Sequence, residues 1–343
     1  MNTGKKVNLK QIAEKLNISP GSVSLTLNGR GDEMRIAAET QKLIMDTAKE
    51  MGYPLDKVRK NKQTVGVNNL PVIVIFLPSL TGDVISPYDR IMNGLNKSIR
   101  DNQIDVEIIV CPFEYGCLNE KYRYISSDFC TGAIVFSMSE KDMEDLLEQD
   151  FDIPLVVFNR INEKYSTVHV DDYSVGYNVA KLFYKKGCKK PALFTPDYRN
   201  KPMLLRKMGF ETGCFDFGME LSDICNVVCK TEDKVVSDNI NRICDDGDVP
   251  DMIFANIDDI GLSVIKALRN KGINVPEETQ LISYGGNPWT KAVNPAMSSI
   301  SLNVEAMSGE CLVMLWKMIT SGNWTPIAKT YQSEVIYRES MNE

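Results

Sequence analysis

LKQIAEKLNISPGSVSLTLN, residues 9–28, decides the fold of the first part of the chain. Four apolar residues recur there at the spacing of a short amphipathic helix: Leu9, Ile12, Ala13 and Leu16. Asn17 and Ile18 interrupt this spacing. Ser19 followed by Pro20 is a strong helix start, because the hydroxyl can cap free amide groups while proline occupies the first turn. The stretch therefore predicts two short helices joined by a three-residue turn.

The second predicted helix has an inner face formed by Val23 and Leu27, and it presents its other side outward. A third helix is predicted within residues 37–53, where apolar side chains again repeat at helical spacing. Two crossing helices with the second one exposed form the geometry that places a helix in the DNA major groove. We therefore expect a small all-α helix-turn-helix domain over residues 1–54.

The charge of the chain is divided unevenly between this first part and the rest. Residues 1–62 contain 12 basic and 7 acidic residues, a net charge of +5, whereas the remainder contains 27 basic and 39 acidic residues, a net charge of −12. A basic head on an acidic body indicates a polyanionic partner for the head alone.

The body, residues 70–343, alternates strand-like apolar runs with helical stretches. VIVIFL (72–77), GAIVFS (132–137), PLVVFN (154–159) and MIFAN (252–256) are examples of such runs. This alternation predicts parallel sheets covered by helices on both faces. The segment is too long for one such sheet, so we expect two lobes with a ligand cleft at the carboxyl ends of their strands.

Composition argues against several other classes of protein. The longest apolar run, residues 71–80, is too short to span a bilayer, and nine cysteines without a CxxC pair do not suggest a disulfide framework. We therefore expect a cytoplasmic protein without a membrane segment. Cys225 and Cys229 fit either half a metal site on one helical turn or a buried strand, and no metal site is predicted because the chain has a single histidine, His169.

An enzyme is not expected. Adjacent carboxylates occur at Asp171-Asp172, Asp258-Asp259 and Glu277-Glu278, but sequence neighbours diverge in a helix or strand and cannot face one substrate. The chain contains no P-loop, Gly-x-Ser-x-Gly or dinucleotide motif. We predict neither catalytic residues nor a cofactor.

IAEKLNISPGSVSLTLNG (12–29) followed by ETQKLIMDTAKEMGYP (39–54) resembles the headpiece of the LacI/GalR family of repressors. The body is similar to the periplasmic-binding-protein-like domain of the same family along nearly its whole length, for example in DDYSVGYNVAKLFYKKG (171–187) and PDMIFANIDDIGLSVIKALRNKG (250–272). The resemblance implies a sequence-specific DNA-binding regulator, most simply a homodimeric repressor that recognises an inverted repeat in double-stranded DNA.

The headpiece departs from the family where bases are usually read. Leu25 stands where the family usually has an arginine, and Pro20 and Gly21 occupy other base-reading positions. Readout is then expected from Leu25 against thymine methyl groups and from DNA shape, with small polar side chains at phosphates. The predicted DNA contacts of the helix are Ser19, Pro20, Gly21, Ser22, Ser24, Leu25 and Asn28.

Residues 55–69 match the hinge of the family, with Lys62 where the family has a leucine that wedges into the minor groove. The basic hinge residues Lys57, Arg59, Lys60 and Lys62 are predicted to contact phosphates, but a cation cannot unstack bases as an apolar wedge does. A merely solvated linker is the alternative.

The resemblance also implies a small polar effector, a sugar or other metabolite, bound between the lobes. Arg206 stands where the family has a ligand-clamping arginine, and Asn159 where an aspartate often accepts sugar hydroxyls. Gly285 and Ile257 replace a family aspartate and asparagine, so the effector is expected to differ from a hexose. The predicted effector contacts are Arg206, Asn159, Asp171, Asp258 and Trp289.

The expected lobes are an N lobe of about 70–170 plus 303–330 and a C lobe of about 171–302 plus 331–343. The chain lacks the C-terminal heptads of tetrameric family members, so a dimer is expected. The alternative function is a small-molecule-binding protein of the same fold whose DNA binding is degenerate or nonspecific, because Leu25 and Lys62 replace two family determinants.

Overall fold

The computed structural model describes residues 7–27, 31, 36–53, 70–79, 87–197, 200–245 and 249–343. The predicted contacts Asn28, Lys57, Arg59, Lys60 and Lys62 lie outside these residues. Among the helices that are described, none is long and apolar enough to cross a membrane.

Three helices form the headpiece: α1 (Leu9–Leu16), α2 (Pro20–Leu27) and α3 (Ala38–Glu50). Asn8 and Gln11 cap the start of α1 reciprocally, and Asn17 ends the helix in the left-handed conformation at φ 52°. The helices enclose a small apolar core made of Ile12, Ala13, Val23, Leu27, Ile44 and Ala48. The predicted helix-turn-helix arrangement is thus present.

The body contains seven further helices in the described residues. They are α4 (Tyr88–Asn102), α5 (Glu140–Leu147), α6 (Asp172–Lys185), α7 (Lys201–Asp216), α8 (Asp233–Asp245), α9 (Asp258–Asn270) and α10 (Val304–Ser321). Two 3₁₀ helices, Leu118–Tyr124 and Pro288–Lys291, lie between them.

The strands of the body form two sheets. The first sheet has the order β11-β5-β4-β3-β1-β2, from β1 (Val72–Pro78), β2 (Glu107–Phe113), β3 (Gly132–Val135), β4 (Leu155–Phe158), β5 (Ser166–Val170) and β11 (Ala328–Tyr331). The second has the order β12-β10-β9-β8-β6-β7, from β6 (Pro191–Pro196), β7 (Asn226–Cys229), β8 (Met252–Ala255), β9 (Gln280–Gly285), β10 (Ser298–Ser301) and β12 (Glu334–Ile336).

All strand pairs are parallel except β10 with β12, which is antiparallel. Because helices cover both faces of each sheet, the central strands are buried along their whole length, as in β3, β4 and β8. The predicted two-lobed α/β fold is confirmed.

The chain passes between the two sheets three times. It does so between β5 and α6, between β10 and α10, and between β11 and β12. The helix α6 packs in the core of the second sheet and α10 in the core of the first, so each lobe is assembled from separate stretches of chain.

Close helix pairs flank the sheets where glycines face each other. In the second lobe a Cβ on Gly176 of α6 would lie 1.9 Å from the carbonyl oxygen of Arg206 on α7, and one on Gly209 would lie 2.0 Å from that of Tyr173. In the first lobe, a Cβ on Gly94 would lie 2.1 Å from the carbonyl oxygen of Glu305. Glycine is required because the backbones touch.

One element settles an alternative that the sequence left open, and two others were not expected from the sequence. The stretch CNVVC lies in and beside β7, so its alternative as a buried strand is confirmed, and Cys225 and Cys229 are buried. The helix α8 and the strand β11 are not predicted by the alternation. His169 lies in β5, where burial lowers its pKa.

Candidate functional site

The outward side of α2 is the first candidate surface. Ser19 caps the helix by accepting a hydrogen bond from the Ser22 amide at 3.0 Å, and its hydroxyl lies 2.9 Å from that of Ser22. Ser19, Pro20 and Gly21 are exposed. Since Val23 and Leu27 hold the other side in the core, the first turn of α2 is presented to solvent.

Three further predicted contacts on α2 are partly covered. Ser22, Ser24 and Leu25 are half-buried, so their side chains are accessible without projecting freely. A Cβ added at Gly21 would meet nothing closer than the Ser19 hydroxyl, 3.6 Å away. This side of α2 therefore carries no long side chain that could donate a hydrogen bond.

A cavity of about 430 Å³ lies between the two sheets of the body. It is formed at the carboxyl ends of strands from both sheets, as parallel α/β folds favour. Its lining from the first lobe includes Pro78, Pro87, Arg90, Tyr115, Ser137, Phe158, Asn159 and Arg160. Its lining from the second includes Asn200, Pro202, Met203, Arg206, Thr231, Ile257, Asp258, Asp259, Tyr284, Gly285 and Asn287.

Arg206 is held in the wall of this cavity by a buried network. It is 3% exposed, forms an ion pair with the buried carboxylate of Asp172, and donates from Nε to Asn256 Oδ1 at 2.8 Å. Its guanidinium lies over the ring of Tyr284, 3.7 Å from the ring centroid. Burial raises the pKa of Asp172, an effect that the neighbouring Arg206 opposes. These contacts fix the position of the Arg206 side chain.

Asp258 begins α9 and organises the loop after β9. Its carboxylate accepts hydrogen bonds from the Ser283 hydroxyl at 2.5 Å and from both the backbone and side-chain nitrogens of Asn287 at 2.8 Å. Burial raises its pKa to about 6 against these hydrogen bonds. Gly285 lies against this carboxylate at φ 138°, where a Cβ would come within 2.6 Å of Oδ2. A larger residue at position 285 would collide with Asp258.

The first lobe contributes a polar corner at the ends of β3 and β4. Ser137 and Asn159 adopt positive φ angles of 48° and 52°, a conformation that residues other than glycine rarely take. Asn159 Oδ1 accepts a hydrogen bond from the Val170 amide at 3.2 Å, which fixes the side chain. Strained backbone at adjacent strand ends is typical of binding sites.

Two contacts join the lobes beside the cavity. Arg90 of α4 pairs with Glu305 through two hydrogen bonds of 2.8 Å and donates to the Gly285 carbonyl of the second lobe at 3.1 Å. Glu140 of α5 accepts a hydrogen bond of 2.7 Å from the Lys201 amide at the start of α7. These contacts hold the lobes together at the cleft.

The structure brings together three of the five predicted effector contacts. Arg206, Asn159 and Asp258 line the cavity. Asp171 does not, because it caps α6 through the Ser174 amide and hydroxyl and borders a separate cavity beside β11. Trp289 does not either, because its ring packs against the apolar core around α8 and α9.

Sequence reasoning missed two side chains that line the cavity, Arg160 and Arg90, and also Asp172, which pairs with Arg206. Arg160 directly follows Asn159, Asp172 directly follows Asp171, and Arg90 lies in the first turn of α4. Their only signal in the sequence is a charged residue at the end of a buried strand or the start of a helix.

A family model described as a periplasmic binding protein-like domain matches residues 180–341. An HTH-type transcriptional regulator of Lachnoclostridium phytofermentans is 19% identical over 98% of this chain and 100% of its own length. The HTH-type transcriptional regulator RegA of Clostridium saccharobutylicum is 23% identical over 97% of this chain and 98% of its own length.

Solved structures of transcriptional regulators are also similar to this chain. A LacI family transcription regulator from Clostridium acetobutylicum superposes with a TM-score of 0.71 at 26% identity, covering 78% of this chain and 99% of that one. A complex of the transcriptional regulator CelR with cellobiose gives a TM-score of 0.68 at 19% identity, covering 98% of this chain and 100% of that one. These proteins are regulators rather than enzymes, as the sequence predicts for this chain.

Proposed function

Because this chain belongs to the LacI/GalR family of transcriptional regulators, we propose that it represses genes by binding an operator in double-stranded DNA. In this proposal a small polar effector in the cavity between the lobes changes the affinity for that operator. The observation that carries the proposal is the combination of an exposed α2 on its own packed core with a polar cavity between two sheets.

The DNA contacts proposed for α2 are Ser19, Pro20, Gly21, Ser22, Ser24 and Leu25, with Asn28 following the helix. The hinge cations Lys57, Arg59, Lys60 and Lys62 would add phosphate contacts, which strengthen binding without selecting a sequence. A homodimer would place two α2 helices on the halves of an inverted repeat.

The proposed effector contacts are Arg206, Asn159 and Asp258. Arg206 and Asp258 belong to the second lobe, whereas Asn159 belongs to the first, so one ligand touching all three bridges the cleft. A ligand that prefers one arrangement of the lobes shifts the equilibrium between them, typically by about 1 to 3 kcal/mol.

Selection of bound sequences from random DNA with the full chain tests the DNA half of the proposal. We expect inverted repeats, an affinity at least tenfold above that for random DNA, and a steep decrease of both affinities with salt. A variant lacking residues 1–62 should not bind. Equal affinities for selected and random DNA would instead support a nonspecific DNA-binding protein, the alternative raised by Leu25 and Lys62.

Arg206→Ala tests the effector half. A ligand that raises the melting temperature of the full chain is first found among metabolites. The variant should then bind operator DNA as the wild type does without ligand, and should lose the response to ligand. A wild-type response in Arg206→Ala would place the effector elsewhere.

A further inference from the structure

The first-lobe wall of the cavity contains a buried cation that lacks a carboxylate partner among the described residues. Arg160 is 9% exposed, and its guanidinium donates to the backbone carbonyls of Asn159 at 2.9 Å and Met138 at 2.6 Å. Its Nε is buried without a hydrogen-bond partner. Arg90 on the same wall is different, because Glu305 neutralises it.

Arg160 also lies near a carboxylate that is already used. The positive charge of Arg160 favours the ionised form of Asp172, but this carboxylate accepts its hydrogen bond from Arg206. Two guanidinium groups therefore lie near the Asp172 carboxylate, and only Arg206 forms an ion pair with it, so that Arg160 has no ion-pair partner among the described residues. An uncompensated charge away from water is costly, and the cost is relieved when an anion binds beside it.

The second-lobe wall, which also holds Arg206, provides hydrogen-bond acceptors at the start of α9. Asp258 and Asp259 line the cavity from the start of α9, and their carboxylates can accept hydrogen bonds from hydroxyl groups. The cavity thus offers a cation at one end and acceptors at the other.

We propose that the effector is a hydroxylated carboxylic acid of monosaccharide size, a sugar acid, with its carboxylate beside Arg160 and its hydroxyls toward Asp258 and Asp259. This inference rests on the proposed function, since it names the chemical class of the molecule that the same cavity binds. The volume of about 430 Å³ falls within the range of small-ligand sites. A guanidinium is suited to a carboxylate because its planar donors match the two oxygens.

Calorimetric titration of the full chain with matched pairs of compounds tests the proposal. The pairs are D-gluconate and D-glucitol, D-glucuronate and D-glucose, and D-galacturonate and D-galactose, which differ at the acidic group. We expect at least one acid to bind at least tenfold more tightly than its neutral counterpart. Equal binding within every pair, preference for the neutral member, or no binding by any acid would overturn the proposal.

Substitutions of Arg160 test whether this residue causes the preference for the acid over the neutral compound. Arg160→Met should weaken binding of the preferred acid at least tenfold and abolish its advantage over the neutral compound, whereas Arg242→Met, at an exposed position of α8, should change neither. Should Arg160→Met unfold, Arg160→Gln provides the same measurement, because its amide can still donate toward the Met138 carbonyl without a charge. If a soluble Arg160 variant kept the full preference for the acid, the carboxylate of the ligand would not lie beside Arg160.

Operator affinity measured on the same preparations separates this inference from the proposed function. If a neutral sugar binds and changes the operator affinity, the effector-controlled regulator stands and the sugar-acid class is wrong. If the preferred acid binds but leaves the operator affinity unchanged, the ligand class stands and the regulatory half of the proposed function fails.

Discussion

Asp258 is a single residue whose ionisation is coupled to folding. Its pKa of about 6 in the folded protein exceeds the ordinary value of 3.8, because burial disfavours the carboxylate. The folded state therefore holds the proton more tightly than the unfolded state does. The stabilisation is fully present below pH 4 and is lost as the pH rises through 6, by at most about 1.4 kcal/mol per pH unit.

We predict that the pH dependence of stability differs between the wild type and Asp258→Asn. Denaturant unfolding of the wild type between pH 4 and 7 should show a steeper loss of stability than Asp258→Asn, which cannot ionise. The comparison matters because burial also raises the pKa of Asp172 and Asp259, and these groups titrate in both proteins. Identical slopes in the two proteins would show that Asp258 ionises as it does in the unfolded chain.

A second prediction at this scale concerns the proposed DNA contacts of α2. Ser24→Ala should weaken binding to all sequences by a similar factor, as expected for loss of a phosphate contact, whereas Leu25→Arg should change the preferred operator. The arginine adds a donor pair that recognises guanine. Selection from random DNA with each variant gives the result, and an unchanged operator for Leu25→Arg would remove Leu25 from the reading surface.

Single residues also mark the limit of what the sequence predicts about the site. The left-handed conformation of Asn159 interrupts the alternation at the end of β4, so the pattern cannot tell that Arg160 also reaches the cavity. Asp171 and Asp172 differ by one position at a helix start: the first caps α6 and the second turns inward to Arg206. Helix boundaries cannot be predicted from a pattern to one residue.

Among the elements, the pair α6 and α7 positions Arg206, the proposed effector contact. Gly176 faces the Arg206 carbonyl so closely that Gly176→Ala must push the helices apart, and we expect a loss of about 3 kcal/mol in the free energy of unfolding. Denaturant titration measures this. Gly21→Ala, where space is open, is the matched control and should leave stability almost unchanged. A loss below about 1 kcal/mol for Gly176→Ala would show that the helices separate easily.

Elements with long apolar runs are predicted well from the sequence, and polar edges are not. The central strands are buried on both faces, so their runs are continuous. The edge strand β11, AKTY, is mostly exposed and has no comparable pattern. The helix α8 does carry a signal, since Val236, Ile240 and Ile243 repeat at helical spacing and are buried.

At the scale of the whole molecule, the contacts of Arg90 and Glu140 resist separation of the lobes. Removing both in Arg90→Met/Glu140→Ala, which leaves no acceptor for the Lys201 amide, should open the cleft and raise the radius of gyration in small-angle X-ray scattering without ligand. Lys266→Met/Asp233→Asn removes an exposed ion pair within the second lobe and serves as the control. The same scattering curve for both double variants would mean that these contacts do not hold the lobes.

Because the chain passes between the lobes three times, neither lobe is complete until the last elements have been synthesised. During synthesis the headpiece leaves the ribosome before the body does, and it has its own apolar core, so it can fold while the body is still being made. The cavity comes last, because α10 and the edge strands β11 and β12 follow every other element of both sheets. A newly made molecule thus acquires its headpiece many codons before it acquires the cavity between its lobes.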